Sequence, residues 1–554
     1  MKKSSKPRGP SAGSGASVWR ARLARLGLSA LSGVLLPLAV PTAYLWPLMW
    51  IALVPQLHVA LTSRTPRRAF LQGWLTGTLA NSLGFYWMDG LLERFGHMSP
   101  LEALPIMLLL TAYQGLEFAI LSWGVHRLRD RTSGRLSVAL MAMLVMAAIE
   151  LCMPQIFPFY LAMSQAPVPV MIQIADLTGP IGVTALMVAW NGSLLDAWYA
   201  RRAGSRKLRP LAVSSAFVVL TLVYGAVRLH QVDAARAAAP KVKTGLVQAN
   251  VGILEKWDPA EFAKLLVTHQ RLSAELAAAG AELVVWPESS YPYALPRPFE
   301  REWPADDPRR VRAGFSTPLL FGALTRTVGP PQRPADRYPY NTALMMDAAG
   351  NVTGAYDKVF LMLFGEYIPF YDTIPWFTKL FPEASNFSRG SEPGSFPLTV
   401  GGRDYKLGPL ICYEDILPGF TRRVAKLSPN AFVNITNDAW FGRTAEPYQH
   451  LALAVFRAVE NRLELVRAVN TGVSAHVDAA GRVLTRTDSV DPAETPDAPP
   501  TTLLVELAML EGGGLYRHVG DLFAFACLLA LVALAARGLR PPQAEADVAP
   551  RPSA

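Results

Sequence analysis

From residue 26 onward the chain alternates between long apolar runs and short basic segments. The runs lie at 26–40, 44–61, 69–88, 103–125, 136–153, 179–198 and 211–227, with a last one at 519–536. Each approaches the roughly 20 residues that a helix needs to cross a bilayer. The pattern therefore predicts eight transmembrane helices. The first run is short and holds Pro37, but a second span follows at once and no small-residue cleavage site separates them, so it reads as a span and not as a signal peptide.

The basic residues test this reading independently. Lys2, Lys3, Lys6, Arg8, Arg20, Arg22 and Arg25 precede the first span. Arg64, Arg67 and Arg68 fill the second loop, Arg127, Arg129, Arg131 and Arg135 the fourth, and Arg201, Arg202, Arg206, Lys207 and Arg209 the sixth. The intervening loops carry only Arg94, and no Lys or Arg between Pro154 and Thr178. Positive charge alternates with each crossing, as cytoplasmic loops require. Eight crossings then put both ends in the cytoplasm, with Arg537 and Arg540 after the last span, and the segment from about residue 229 to residue 517 on the opposite side.

That segment has another rhythm. Short, continuously apolar runs rich in β-formers stand at 242–248, 283–286, 318–324, 342–346, 406–412, 431–436, 465–469 and 474–477. A helical pattern fills 259–279, with Pro259 at its start and Gly280 just after its end. Buried strands mixed with helices predict an α/β sheet covered by helices. Pro-rich loops interrupt it around 297–308 and 330–340, and 488–500 is a polar, Pro-rich stretch. The expected organisation is a basic, disordered cytoplasmic tail at 1–25, a seven-helix transmembrane domain at 26–228, an extracytoplasmic α/β domain at 229–500, a linker at 501–518, a C-terminal transmembrane helix at 519–536 and a cytoplasmic tail at 537–554.

Composition agrees with a membrane protein: 51% of residues are hydrophobic and only 17% charged. The net charge of +10 suits a nucleic-acid groove as well as a membrane orientation signal, but its confinement to alternate loops selects the second, and no nucleic acid is expected as a partner. Three cysteines, Cys152, Cys412 and Cys527, are too few and too scattered for a disulfide framework. Cys152 and Cys527 sit in or beside apolar runs, where a thiol packs as a small hydrophobe. The eight His show no metal-ligand spacing and no Gly-rich phosphate loop is present, so neither a metal nor another cofactor is expected.

Three run ends carry reactive side chains. Glu288 follows Val284-Val285-Trp286-Pro287, Lys358 follows Tyr356-Asp357, and Cys412 follows Pro409-Leu410-Ile411. Ligands of open α/β sheets bind beyond strand ends. A carboxylate can take the proton of a thiol, and an ammonium can favour the thiolate and then the oxyanion of a tetrahedral intermediate. Together they suit attack on an ester or amide carbonyl through a thioester. Singly, each has an ordinary reading: a packed Cys, a solvated turn Glu, a surface Lys.

In order, these motifs resemble the nitrilase superfamily and, within it, the apolipoprotein N-acyltransferase family. The likeness runs through Trp286-Pro287-Glu288, Tyr356-Asp357-Lys358, Phe364-Gly365-Glu366-Tyr367-Ile368-Pro369, Ile411-Cys412-Tyr413-Glu414, the stretch from Asn434 to Gly442, and Arg467-Ala468-Val469-Asn470-Thr471-Gly472. In the apolar half it includes Gly84-Phe85-Tyr86-Trp87 and Gln173-Ile174-Ala175-Asp176. The resemblance implies an αββα sandwich on eight spans, facing the periplasm from a bacterial inner membrane. It implies an acyl chain passed from a phospholipid, phosphatidylethanolamine above all, to Cys412 and then to the free α-amine of the diacylglyceryl-cysteine of an apolipoprotein. Carried over by motif, Glu288 is the general base, Lys358 the oxyanion partner and Cys412 the nucleophile. Glu366, Tyr413 and Glu414 are supporting residues, and Trp257 and Trp440 resemble aromatic residues flanking the lipid site. The family pattern has a His and a Val-Pro pair before Phe-Gly-Glu-Tyr, where this chain has Phe360, Met362 and Leu363.

The stretch 359–381 is dense in aromatic and aliphatic residues yet broken by Pro369 and Pro375. It reads either as core packing or as a loop, with Phe370 and Trp376, that dips into the membrane interface. Glu117, Glu150 and Asn191 are polar residues within spans, expected to pair between helices. Two other functions compete. A membrane-anchored amidase hydrolysing a small amide would use the same triad with a water-filled pocket, and a transporter or receptor whose outer domain only binds ligand would need no Cys, Glu and Lys together.

Overall fold

In an apolar environment each main-chain polar group has to be bonded within the protein, and this governs the first half of the chain. The computed structural model describes residues 13–41, 43–132, 134–206, 208–330, 334–363, 365–367, 386–495 and 498–537. Three helices are long and apolar enough by length and composition to cross a membrane: Trp19–Ala39, Pro100–Arg131 and Arg209–Ala238. Trp46–Thr62, Val138–Cys152 and Leu522–Ala536 are shorter apolar helices, and the expected span at 69–88 is the helix Pro66–Gly84. Of the two expected cytoplasmic tails, residues 1–12 and 538–554 lie outside the described residues, as do Phe370 and Trp376 with most of the aromatic stretch around them.

Two expected spans are not simple rods. The run at 44–61 breaks into a 3₁₀ turn, Trp46–Trp50, and a helix, Val54–Thr62, because Pro47 and Pro55 start new helical segments. The buried amide of Asn191 satisfies the exposed main chain at the break: its Nδ2 donates to the Met49 carbonyl at 2.9 Å and its Oδ1 accepts from the Leu53 N–H at 3.0 Å. Glu150 does the same for a loop, accepting from the Leu161 N–H at 3.1 Å and from Thr184 at 3.0 Å. The helix Ala175–Arg202 kinks at Gly179, whose φ of 67° and contact with the Tyr516 ring leave no room for a side chain.

The helix Pro66–Gly84 crosses Leu116–Arg131 through small residues. A Cβ on Gly73 would lie 2.3 Å from the Phe118 carbonyl oxygen, and one on Gly77 would lie 2.3 Å from that of Gly115. Glycines four apart let two backbones touch where no hydrophobic force separates helix from lipid.

The second half is a sandwich of two sheets. Its strands are β1 (Lys241–Gln248), β2 (Leu283–Val285), β3 (Tyr291–Arg297), β4 (Leu319–Thr327), β5 (Tyr340–Met346), β6 (Val352–Asp357), β7 (Phe396–Val400), β8 (Arg403–Ile411), β9 (Ala431–Thr436), β10 (Glu464–Val469), β11 (Ala475–Val477), β12 (Val483–Arg486) and β13 (Thr501–Ala508). One sheet runs β13-β1-β2-β4-β5-β6 with β3 on β4, and the other β12-β11-β10-β9-β8-β7. A single apolar core joins their inner faces. The helix Phe262–Ala278 covers the first sheet with Leu266, Leu272 and Leu276, and the buried helix Glu446–Asn461 covers the second. The nitrilase-like αββα layering follows.

One boundary needs correction. Residues 501–508, expected in the linker at 501–518, form β13, paired with β1 over its full length. The strand escapes the pattern because it is an edge, with polar residues on its outer face. The other unexpected strands share that cause: β7 and β12 are the edges of the second sheet, and β3 carries Pro292 and Pro296.

The two halves are fastened at both family-like motifs of the apolar half. Asp176 accepts from Arg462 at 2.6 Å, Arg228 at 3.0 Å and Tyr224 at 2.7 Å, while Gln173 donates to the Ala480 carbonyl at 2.8 Å. Trp87 donates to Gln449 at 3.2 Å, and Gln449 in turn donates to the Gly84 carbonyl at 2.9 Å.

The glycine crossing gives a direct test. Gly77→Val is expected to destabilise the purified protein by at least the ~1–3 kcal/mol of an overpacked core, read as a lower melting temperature in detergent or as failure to accumulate in membranes. An unchanged melting temperature would show that the helices do not meet there.

Candidate active site

Each candidate is aimed by the end of a strand. After β2, the Trp286 N–H still bonds to Leu320 at 2.8 Å, but Pro287 has no N–H to continue the ladder. The turn that follows presses on β4: the Gly322 N–H donates to the Pro287 carbonyl at 3.2 Å, and a Cβ on Gly322 would stand 2.4 Å from the Ser289 nitrogen. Ser289 takes a left-handed φ of 48°, and Glu288 is turned inward. Lys358 follows β6, its N–H bonded to the Asn341 carbonyl at 2.9 Å. Cys412 follows β8 with φ 50°, at the start of the 3₁₀ turn Cys412–Ile416. A non-glycine residue in that region is strained, and such strain concentrates at functional positions.

The buried Lys358 ammonium lies 3.1 Å from Glu288 Oε1 and 2.8 Å from the Glu366 carboxylate. Asn341 Nδ2 donates to both acids, at 2.7 Å to Glu288 Oε1 and 3.1 Å to Glu366 Oε1. Among the described residues nothing bonds to the other Glu288 oxygen. Burial works against the Lys358 charge, but Glu288 and Glu366 outweigh it and hold its pKa well above the usual lysine range. The Cys412 thiol is pushed well up by burial and by Glu288, with Glu366 and Asp438 adding to this against the opposing Lys358. The resting sulfur is therefore a thiol, not the thiolate that a lysine alone would favour, and its proton has to leave as the bond forms.

The other candidates fall into distinct places. Glu414 does not bond to the three candidates; it ties the strand ends together. Its carboxylate accepts from the Ile411 N–H at 2.9 Å, the Val359 N–H at 2.7 Å, the Phe360 N–H at 3.1 Å and the Tyr356 hydroxyl at 2.7 Å. Burial pushes its pKa up to about 7, despite these donors. Tyr413 donates to the Ile156 carbonyl at 3.2 Å, linking the site to the apolar half. Trp440 packs beside the cluster of Phe85, Trp87 and Phe441. Trp257 is 44% exposed on the short helix Ile253–Trp257. Phe360 packs edge-on against Phe420 with ring centres 5.3 Å apart, and the Met362 N–H holds Glu366 at 2.9 Å.

Cys412 opens onto a cleft of about 520 Å³ walled by Phe85, Trp87, Phe157, Phe159, Tyr413 and Phe441, with Met362 and Leu453. Both halves of the chain contribute to this wall, so the cleft lies between them. At its wall, Glu446 and His450, together with Asp438, present ligand atoms within 4.8 Å of one another, a group that sequence spacing did not reveal. Burial and Arg467 oppose a charge on His450, but Asp415 and Asp438 raise its pKa to about 10. His450 lies 2.8 Å from Asp415 and 3.5 Å from Asp438, and Arg467 pairs with both acids, so the group forms an internal ion network. Asn341 escaped sequence reasoning, because it sits inside a strand with nothing in the pattern to mark it, and Tyr356 stood in the Lys motif without a role of its own.

A partly buried Cys with a buried Glu and Lys at the strand ends of an αββα sandwich define a domain of the nitrilase superfamily. Residues 243–495 match the Carbon-nitrogen hydrolase family, and residues 32–193 match the Apolipoprotein N-acyltransferase N-terminal domain. The chain is 32% identical to the apolipoprotein N-acyltransferase of Geobacter metallireducens over 93% of its own length and 95% of the relative's. It is 30% identical to that of Bdellovibrio bacteriovorus over 82% and 84%. A solved amidase from Nesterenkonia sp. AN1 overlaps 48% of this chain and 93% of its own, at 21% identity and a TM-score of 0.32. The chain belongs to the apolipoprotein N-acyltransferase family.

The charge arrangement yields a test. Removing the negative charge in Glu288→Gln is expected to lower the Cys412 pKa, so iodoacetamide alkylation at pH 8 should hold or speed up while turnover falls by about 10²–10⁴-fold. Lys358→Met should slow both. Alkylation and turnover falling together in Glu288→Gln would mean that Glu288 activates the resting thiol and is not merely a base during attack.

Proposed function

We propose that the protein transfers an acyl chain from a phospholipid, through a thioester on Cys412, to the N-terminal α-amine of the diacylglyceryl-cysteine of an apolipoprotein. The carrying observation is the Lys358 ammonium clamped between Glu288 and Glu366 beside Cys412, at the head of an apolar cleft shared with the helices. An amidase for small amides has no need of aromatic walls contributed by such helices, and family membership favours the transferase.

In the first half-reaction the Cys412 sulfur attacks the ester carbonyl of the donor while its proton passes to Glu288. The tetrahedral oxyanion faces the Lys358 ammonium. Collapse breaks the ester C–O bond, Glu288 returns the proton to the departing lysophospholipid oxygen, and the acyl chain remains as a thioester. In the second, the neutral α-amine attacks the thioester carbonyl and gives a proton to Glu288. The C–S bond breaks, the sulfur takes that proton back, and an amide is formed. Charge is conserved in each step, and one carboxylate serves both as base and as acid. Glu366 steadies Lys358, Glu414 holds the strand ends in register, Tyr413 and Trp440 line the lipid side, and Trp257 stands at the approach.

We further propose eight crossings, with the catalytic domain on the periplasmic face of a bacterial inner membrane. The alternation of Lys and Arg between loops supports this, and phosphatidylethanolamine is the expected donor. The proposed domains are a cytoplasmic tail at 1–25, seven helices at 26–228, the catalytic domain from 229 through β13 and a last crossing at 519–536.

Intact-mass spectrometry of the full chain incubated with phosphatidylethanolamine tests the chemistry. The expected product is a single acyl adduct on Cys412 that hydroxylamine removes and that a diacylated lipopeptide with a free α-amine discharges as an N-acylated product. Discharge to water alone would favour the amidase, and no adduct would remove the thioester.

A further inference from the structure

The turn Ile253–Trp257 is folded inside out. Leu254 is 82% exposed and Trp257 44%, while the lysine between them, Lys256, is only 6% exposed. An ordinary surface turn would bury the leucine and tryptophan and leave the ammonium in water. Here the Lys256 side chain runs inward, and its Nζ donates to the main-chain carbonyl of Glu288 at 2.8 Å. Among the described residues it forms no ion pair with a carboxylate. A buried ammonium held by one neutral carbonyl and facing the Trp257 ring at 5.7 Å is costly unless a negative charge accompanies it, and the negative groups whose fields reach it are Glu288 and an ionised Cys412.

The location of that hydrogen bond matters as much as the charge. The Glu288 carbonyl belongs to the turn whose next residue, Ser289, is left-handed and whose backbone presses on Gly322. A donor on that carbonyl fixes the peptide plane from which the Glu288 side chain departs. Lys256 thus bears on the base through the main chain and on the sulfur through space, whereas Lys358 is already committed to two carboxylates.

We propose that Lys256 is a positioning residue of the acyl-transfer centre: it holds the main chain of Glu288 and sets a second positive charge toward Cys412. This rests on the triad reading above. The titratable groups facing this pair are Glu288, Cys412, Lys358, Glu366, Asp438 and His269. Of these, His269 is kept neutral, because burial lowers its pKa to about 4. In the proposed centre Lys358 alone balances only one of two negative charges at each stage: Glu288 and Glu366 at rest, then Glu366 and the oxyanion once Glu288 has taken the proton. Lys256 supplies the missing cation. Burial pulls its own pKa down to about 8, with Glu288 and Cys412 partly restoring it, so the charge is present at neutral pH and fades as the pH rises past that value.

The test uses the full-length protein in detergent micelles, with Cys412 acylation by phosphatidylethanolamine and iodoacetamide alkylation both followed against pH. Lys256→Gln keeps a donor for the Glu288 carbonyl but not the charge, Lys256→Met keeps neither, and Lys256→Arg keeps both. Lys256→Gln is expected to shift the alkylation profile of Cys412 upward by about one pH unit. Lys256→Met is expected to slow acylation about a hundredfold at saturating donor, in kcat and not in KM. Lys256→Arg should restore most of both. A Gln variant with the wild-type profile overturns the electrostatic role, and a Met variant with the wild-type kcat overturns the positioning role. Should Lys256→Met fail to accumulate, the Gln and Arg pair decides alone, since a purely structural lysine would leave the pH profile in place. Absence of any adduct on the wild-type protein would instead count against the underlying acyl-transfer reading.

Discussion

The structure depends on keeping one ammonium dry between two carboxylates. Lys358 is almost fully enclosed, and an ion pair in that position survives only if the remaining valences of each partner are also filled. Most are: Asn341 donates to Glu288 and Glu366, and the Met362 N–H donates to the second oxygen of Glu366, while the other Glu288 oxygen is left without a bond among the described residues. Within this cage geometry and charge are inseparable. Losing one carboxylate changes the field at Cys412 and also frees the lysine to move. Burial, with Glu288 adding to it, raises the pKa of the sulfur and favours the thiol at rest; a permanent thiolate would react with any electrophile that entered.

Such a cage has to be built from strands of two different sheets, because Glu288 and Lys358 leave the first sheet and Cys412 the second. Glu414 is the piece that joins them. One carboxylate collects main-chain donors from 359, 360 and 411 together with the Tyr356 hydroxyl, so the ends of β6 and β8 are set against each other by hydrogen bonds and not by packing alone. Its raised pKa, near 7, is the mark of burial outweighing those donors. The residue next to it, Tyr413, reaches the other half of the chain, so the tripeptide 412–414 carries the proposed nucleophile, the link and the brace in succession.

Much of this was legible in sequence and some of it was not, for physical reasons. Apolar runs that stop at Glu288 and Cys412 are visible because interior strands of a sandwich are buried on both faces, and their ends are sharp. Edge strands such as β7, β12 and β13 face water on one side and lose that contrast. Asn341 was invisible because its role lies in the distance between two acids that are far apart in the chain. Lys256 was hidden for the opposite reason: its neighbours Leu254 and Trp257 suggest a buried apolar face, and only coordinates reveal that the turn is reversed. The break at 51–53 was likewise read through, since hydropathy records how apolar a run is and not whether its main chain is continuous.

The reversed turn and the aromatic cleft bear on how a lipid enzyme handles two substrates of opposite character. An acyl chain asks for the apolar wall that Phe85, Trp87 and Phe159 provide from the helical half, while the carbonyl at its end asks for buried charge. Placing the charged cage wholly in the sandwich and drawing the aromatic wall in part from the helices assigns each requirement to a part of the chain that can meet it. The junction is then the sensitive element, and it is where the unusual bonds lie. Gln449 binds both Trp87 and the Gly84 carbonyl, and Asp176 gathers Arg462, Arg228 and Tyr224. The two motifs of the helical half that resemble the family outside its catalytic domain are thus at the seam, where a shift of an ångström would separate the tail's binding wall from the sulfur that has to reach its carbonyl.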